Sequence, residues 1–244
     1  MPYATPIRAP ERKGLFGFSP TKLLIALVLL VISSPFVEDL PSGDLVEALL
    51  VTVVMISAVL AVGGRRKSLG IALVLVAPAL VGKWLNHLHP GLLHPAFFLS
   101  ASILFFAFVV ARLLAFIVRE PRVDANVLCA GVSGFLLLGL LWVPAYAAVA
   151  RLDPQAFSMP NAPGAAATLD GFTAFYYSFM TLCTVGYGDI TPVSRVARML
   201  AVVETVTGMF YMAVLISRLV SLHSSSQSAP PTDSPPPGGR AGSP

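Results

Sequence analysis

Six consecutive residues, Thr184-Val185-Gly186-Tyr187-Gly188-Asp189, have the types needed to strip the water from a potassium ion and replace it with protein oxygen. Gly186 and Gly188 accept positive φ without a Cβ clash, so in alternation with Val185 and Tyr187 they let successive carbonyls point to one side. Thr184 adds a hydroxyl oxygen below that row. Four copies around one axis would build stacked rings of oxygens that stand in for the hydration shell of K+. The chain holds a single copy, so such a site calls for a homotetramer.

The segment must be held by what flanks it. Before it, the aromatic-rich run from Asp170 to Cys183 predicts a short helix capped by Asp170, whose carboxylate can accept a first-turn amide. At about 1.5 Å per residue that helix is too short to span a hydrocarbon core of about 30 Å. It is therefore expected to enter from one face and return through residues 184–189, with the negative end of its dipole toward the membrane centre, where a cation is poorly solvated. Non-helical backbone at that depth is tolerable only where protein or a water-filled path satisfies it.

Composition supplies the membrane. Of 244 residues 56% are apolar and 11% charged, too few charges to coat a soluble domain. Apolar runs cover residues 22–37, 45–63, 68–85, 96–118, 126–150 and 196–220, each near the roughly 20 residues of a membrane span, the first and third being short. Backbone amides cannot stay unpaired in lipid, so the runs are expected to be helices. The fold class is an all-α membrane protein of six transmembrane helices, with a re-entrant pore helix and filter loop between helices five and six.

Basic residues orient it. Arg8, Arg12, Lys13 and Lys22 precede the first span; Arg65, Arg66 and Lys67 separate spans two and three; Arg112, Arg119 and Arg122 cluster at the end of span four; Arg218 and Arg240 follow span six. Twelve of the 16 Lys and Arg residues thus fall on one side, which the positive-inside rule makes cytoplasmic. Glu38, Asp39, Asp44, Glu47, Asp153, Asp170 and Asp189 lie in the opposite loops. The expectation is a multi-pass protein of the cell membrane with both termini cytoplasmic and residues 184–189 facing outward. A secretory leader over Leu23–Ile32 is the alternative for the start; it would leave five spans, but no small-x-small cleavage site follows Ile32.

Four regions follow: a cytoplasmic segment 1–21, a four-helix scaffold 22–122, a pore domain 123–222, and a Ser/Pro/Gly-rich tail 223–244 that cannot bury enough apolar surface to fold. A regulatory domain within residues 1–244 is not expected. No catalytic or nucleic-acid motif is present, and no cofactor is implied beyond K+ as the permeant ion; the partners expected are the bilayer and three further copies of the chain. Cys129 and Cys183 read as small packing residues. His87, His89 and His94 lack a nearby cysteine or carboxylate to complete a metal shell and suit a membrane interface. In span six, Tyr211, Met212, Leu215 and Leu219 recur at helical spacing and are expected to line or close an inner cavity, although such a stripe also serves ordinary packing.

Over residues 126–220 the chain resembles the pore module of the tetrameric potassium-channel superfamily. The resemblance assigns K+ coordination to Thr184, Val185, Gly186 and Tyr187, with Gly188 completing the filter, and gives Asp189 a part in holding the outer mouth. It places Gly208 at the common hinge of the inner helix; close packing is the other reading of that glycine. Where well-studied bacterial relatives carry paired tryptophans this chain has Tyr176 and Tyr177, and Met180 stands where some have a carboxylate. Glu204, on the same helical face as Gly208, is expected to take over that support by bonding Ser178 or Thr181, so that Glu204→Gln would alter inactivation or open probability. A solvated Glu204 near Arg198 of a neighbour is the competing reading. Span four offers Arg112 and Arg119, seven residues apart, in place of a ladder of basic residues at spacing three, so weak or absent voltage dependence is expected. The whole reads as a passive K+ channel; a transporter subunit or an accessory channel subunit are the alternatives.

Overall fold

The computed structural model describes residues 20–37, 43–63, 66–89, 94–121, 124–160, 169 and 171–227. In chain order these form α1 (Pro20–Val37), α2 (Gly43–Val62), α3 (Arg66–Leu88), α4 (Pro95–Arg119), α5 (Ala125–Leu152), the two-residue strand β1 (Phe157–Ser158), α6 (Gly171–Leu182), β2 (Thr191–Pro192) and α7 (Arg195–Gln227). Six of these helices, all but α6, are long and apolar enough to cross a membrane. The protein is an all-α, multi-pass membrane protein. Asp170 and its expected cap lie outside the described residues, as do Arg8, Arg12, Lys13, Arg65, Arg122 and Arg240.

α5 is the central element. Of its apolar window 61% is buried, against 22–39% in the other five spans, because α1, α4, α6 and α7 all pack on it. The first four helices pack in chain order, α1 on α2, α2 on α3 and α3 on α4, and share one continuous core with α5, including Leu23, Leu27, Met55, Phe105 and Leu113. The first four helices are thus fused to α5, not set apart from it. Asp124 starts α5 by accepting from the Val127 amide (3.0 Å), a bond that holds its carboxyl below the usual carboxylate range. Only residues 120–124 separate α4 from α5.

Two boundaries differ from expectation. α3 runs to Leu88, and α7 continues to Gln227, so residues 223–227, read above as part of the unfolded tail, are helical. An established helix extends cheaply, one hydrogen bond for each residue fixed, and Ser and His do not stop it as Pro does.

Candidate functional site

α6 is wedged between two glycines. A Cβ on Gly139 of α5 would lie 2.6 Å from Phe179, and one on Gly208 of α7 would lie 2.7 Å from the Leu182 side chain and 2.9 Å from its carbonyl oxygen. Missing side chains let the three backbones approach, as small residues do in membrane helix packing. Behind α6, Tyr146, Phe157 and Tyr177 meet edge to face at 4.8–5.9 Å, a favourable aromatic geometry.

The chain leaves α6 through a Schellman turn. The Val185 amide donates to the Met180 carbonyl (2.9 Å) and the Thr184 amide to the Thr181 carbonyl (3.0 Å), satisfying carbonyls that a helix end would leave bare. Thr184 sits at the left-handed position, φ +58°, normally glycine's, and among the described residues it is the one non-glycine with positive φ. Gly186 (+55°) and Gly188 (+80°) follow. Positive φ therefore recurs at every second residue of 184–188, the alternation expected of the segment from its sequence. A β-branched residue in this region is strained and is retained only where its surroundings hold it. Val185 and Tyr187 are exposed, and so is Cys183, which packs less than its apolar sequence context suggests.

Past the turn, the Tyr176 hydroxyl donates to Asp189 Oδ2 (2.8 Å) and the Ile190 amide to Oδ1 (3.0 Å). β2 then pairs antiparallel with β1, Phe157 opposite Pro192 and Ser158 opposite Thr191. Val193 and Ser194 amides bond the Ala156 carbonyl (2.8 and 3.2 Å), and Ser194 caps α7 through Ala197 (3.2 Å). The stretch from α6 to α7 is pinned at both ends. The tyrosine pair divides its work: Tyr176 reaches the segment's far end, whereas Tyr177 is buried against Tyr146 and Phe157 and does not.

Glu204 is 0% exposed. Its Oε1 lies 2.6 Å from Ser178 Oγ, and its Oε2 accepts from the Tyr146 hydroxyl at 2.5 Å. Thr181 reaches α7 through its carbonyl and Thr205 (3.4 Å), not through Glu204. Arg198 donates within its own chain to the Pro192 carbonyl (3.1 Å). Tyr146 escaped the sequence reading; the signal was a lone hydroxyl-bearing ring in the otherwise apolar α5.

Of the two readings of the α7 stripe, Tyr211 and Leu215 follow the packing one: both are buried, Tyr211 donating to the Gly131 carbonyl (2.8 Å) and Leu215 filling the space left by Gly131. Met212, one residue round the helix, is exposed. Residues four apart share a face, and α5 supplies the notch for that face at Gly131 and Gly134. α7 runs unbroken through Gly208. At its lower end Arg218 donates to the carbonyls of Glu120 (2.6 Å) and Ile117 (3.4 Å).

Elsewhere, Arg112 is half-buried on α4 with its Nε unbonded, and Arg119 ends that helix exposed. His94 caps α4 by accepting from Ala96 (3.3 Å), His87 packs edge-on to Trp84 (6.2 Å), and His89 is exposed.

α5 and α7, each long and apolar enough to cross a membrane, thus hold between them a short helix and a pinned return. Residues 133–224 match the family model described as ion channel. Among curated proteins, two-pore potassium channel 4 of Arabidopsis thaliana is 44% identical over 48 residues, 20% of this chain and 17% of that protein. The voltage-gated potassium channel Kch of Escherichia coli (strain K12) is 43% identical over 47 residues, 19% of this chain and 11% of Kch. Protein LctB of Bacillus caldotenax is 45% identical over 47 residues, 19% of this chain and 34% of LctB. Over residues 133–224 the chain is thus similar to ion channels, and the stretch it shares with the plant and Escherichia coli proteins is similar to potassium channels. The chain spans less than a fifth of the plant channel's length. No solved structure matches.

Proposed function

We propose that this chain forms a homotetrameric channel that conducts K+ passively across the cell membrane, with Thr184, Val185, Gly186, Tyr187 and Gly188 as its selectivity filter. The observation that carries this is the alternation of positive φ at residues 184, 186 and 188, in the one segment whose carbonyls then form a row of K+ ligands. α6 is the re-entrant pore helix: its 12 residues reach about 18 Å, short of a bilayer core. The charge bias puts both termini in the cytoplasm and the filter at the outer face.

Four copies are supported by what one copy leaves open. The filter residues are exposed in a single chain, and α7 is 22% buried over its apolar window while presenting Met199, Val203, Met209 and Phe210 outward. Around a four-fold axis these surfaces meet each other and the permeating ion. Weak voltage dependence is supported by the two widely spaced arginines of α4 and by the five-residue link to α5, too short for a lever helix between scaffold and pore.

The test is a flux assay on purified protein in liposomes, paired with its mass in detergent by light scattering. The reading expects K+-driven flux lost in Gly186→Ala, and a mass of four chains. Equal Na+ and K+ flux, or a monomer that conducts, contradicts it.

A further inference from the structure

Three oxygen-to-oxygen contacts meet where α5, α6 and α7 cross. The Tyr146 hydroxyl lies 2.5 Å from Glu204 Oε2, Ser178 Oγ lies 2.6 Å from Glu204 Oε1, and the same Oγ lies 2.8 Å from the Gly139 carbonyl. Oxygens this close are held by a proton between them. Tyr146 and Ser178 supply one hydroxyl proton each, and the carbonyl supplies none. One serine proton cannot serve both of its neighbours, because a strong bond needs an O–H···O angle above about 150°. Two protons do not fill three contacts.

We infer that Glu204 is a neutral carboxylic acid that donates from Oε1 to Ser178, so that Ser178 can donate onward to the Gly139 carbonyl. Tyr146 then donates to Oε2, and each of the three contacts has its own proton. The chain of bonds runs from the inner helix through the pore helix to the backbone of the outer helix, and it fixes Ser178 six residues before Thr184. The groups within electrostatic reach of Glu204 are Tyr146 on α5, Tyr177 on α6 and Cys183 just beyond it. Among the described residues the ion pair is Lys83–Glu47, and no cation pairs with Glu204. An ionised Glu204 would be a buried charge without a counter-ion, a costly state at membrane depth.

Glutamine keeps an N–H toward Ser178 and a carbonyl oxygen toward Tyr146, with one N–H left over, so Glu204→Gln is expected to disturb the cluster less than removal of the whole side-chain head. Proposed function enters here only in naming α6 the pore helix; the donor count stands without it, and its readout needs no conduction.

The experiment is infrared absorption of the full chain in lipid, alongside thermal unfolding. A carboxylic-acid carbonyl band should be present in the wild type and lost in E204Q. The band should also shift to higher frequency in Ser178→Ala, where the acid loses its acceptor. E204Q should unfold near the wild-type temperature and Glu204→Ala clearly below it. A wild-type spectrum in which no acid band is sensitive to residue 204 or 178 overturns the inference. So does an E204Q protein that unfolds as early as Glu204→Ala.

Discussion

Tyr176 and Asp189, thirteen residues apart, are joined hydroxyl to carboxylate at 2.8 Å, closing the loop that α6 and residues 184–188 make. The bond ties the residue just past the proposed filter to the helix that starts the turn. It is exposed, so its loss should cost stability near the low end of about 0.5–1.5 kcal/mol while freeing the outer mouth. Tyr176→Phe and Asp189→Asn are each expected to shorten open dwell times in single-channel records and to leave the protein folded. Dwell times that match the wild type in both variants would remove the bond from the filter's support.

Gly208 should behave as a packing residue. Its Cβ would meet the Leu182 side chain at 2.7 Å and, more rigidly, the Leu182 carbonyl at 2.9 Å, so Gly208→Ala is expected to destabilise by about 1–3 kcal/mol through overpacking. Gly70 of α3 is the control, having nothing within 4 Å of its would-be Cβ; Gly70→Ala should be neutral or gain up to about 1 kcal/mol of helix propensity. Thermal unfolding in detergent reads both. An unchanged melting temperature for Gly208→Ala would leave the hinge reading in possession of that position.

Arg218 holds the C-terminal part of α7 to the last carbonyls of α4, where a helix leaves acceptors unsatisfied and favours a cation. Lysine cannot span two carbonyls as a planar guanidinium does. Arg218→Ala is expected to speed amide hydrogen exchange in the last turns of α4 and around Leu215–Ser221, with Arg218→Lys intermediate and the reversal potential unmoved. Exchange unchanged in both variants would mean that the tie does not restrain the helix.

Much of the fold could be read before the structure, because lipid permits so little. Backbone that cannot be left unpaired must be helical, and runs of the right length announce it; errors fell at ends such as Leu88 and Gln227, where the apolar run stops before the helix does and the next proline, Pro90 or Pro230, comes two or three residues later. The filter segment was legible because its glycines are needed where φ is positive. Thr184 was not, since its left-handed φ follows from where α6 ends and from the Schellman turn that ends it. Tyr146 was hidden in an apolar run in which a ring reads as packing. Tyr211 and Leu215 were left with two readings, cavity or packing, because a stripe at spacing four says that a face is used, not what it faces. Gly131 and Gly134, three apart on α5, carried that missing information.

The central claim is that residues 184–188 select K+, and the reversal potential of the purified protein in a planar bilayer under opposed K+ and Na+ gradients tests it most directly. A reversal potential close to the K+ equilibrium value, moving toward zero when Gly186 is replaced by alanine, is the predicted result. A current that reverses near zero in the wild type, or no current from protein that has assembled as a tetramer, would contradict it.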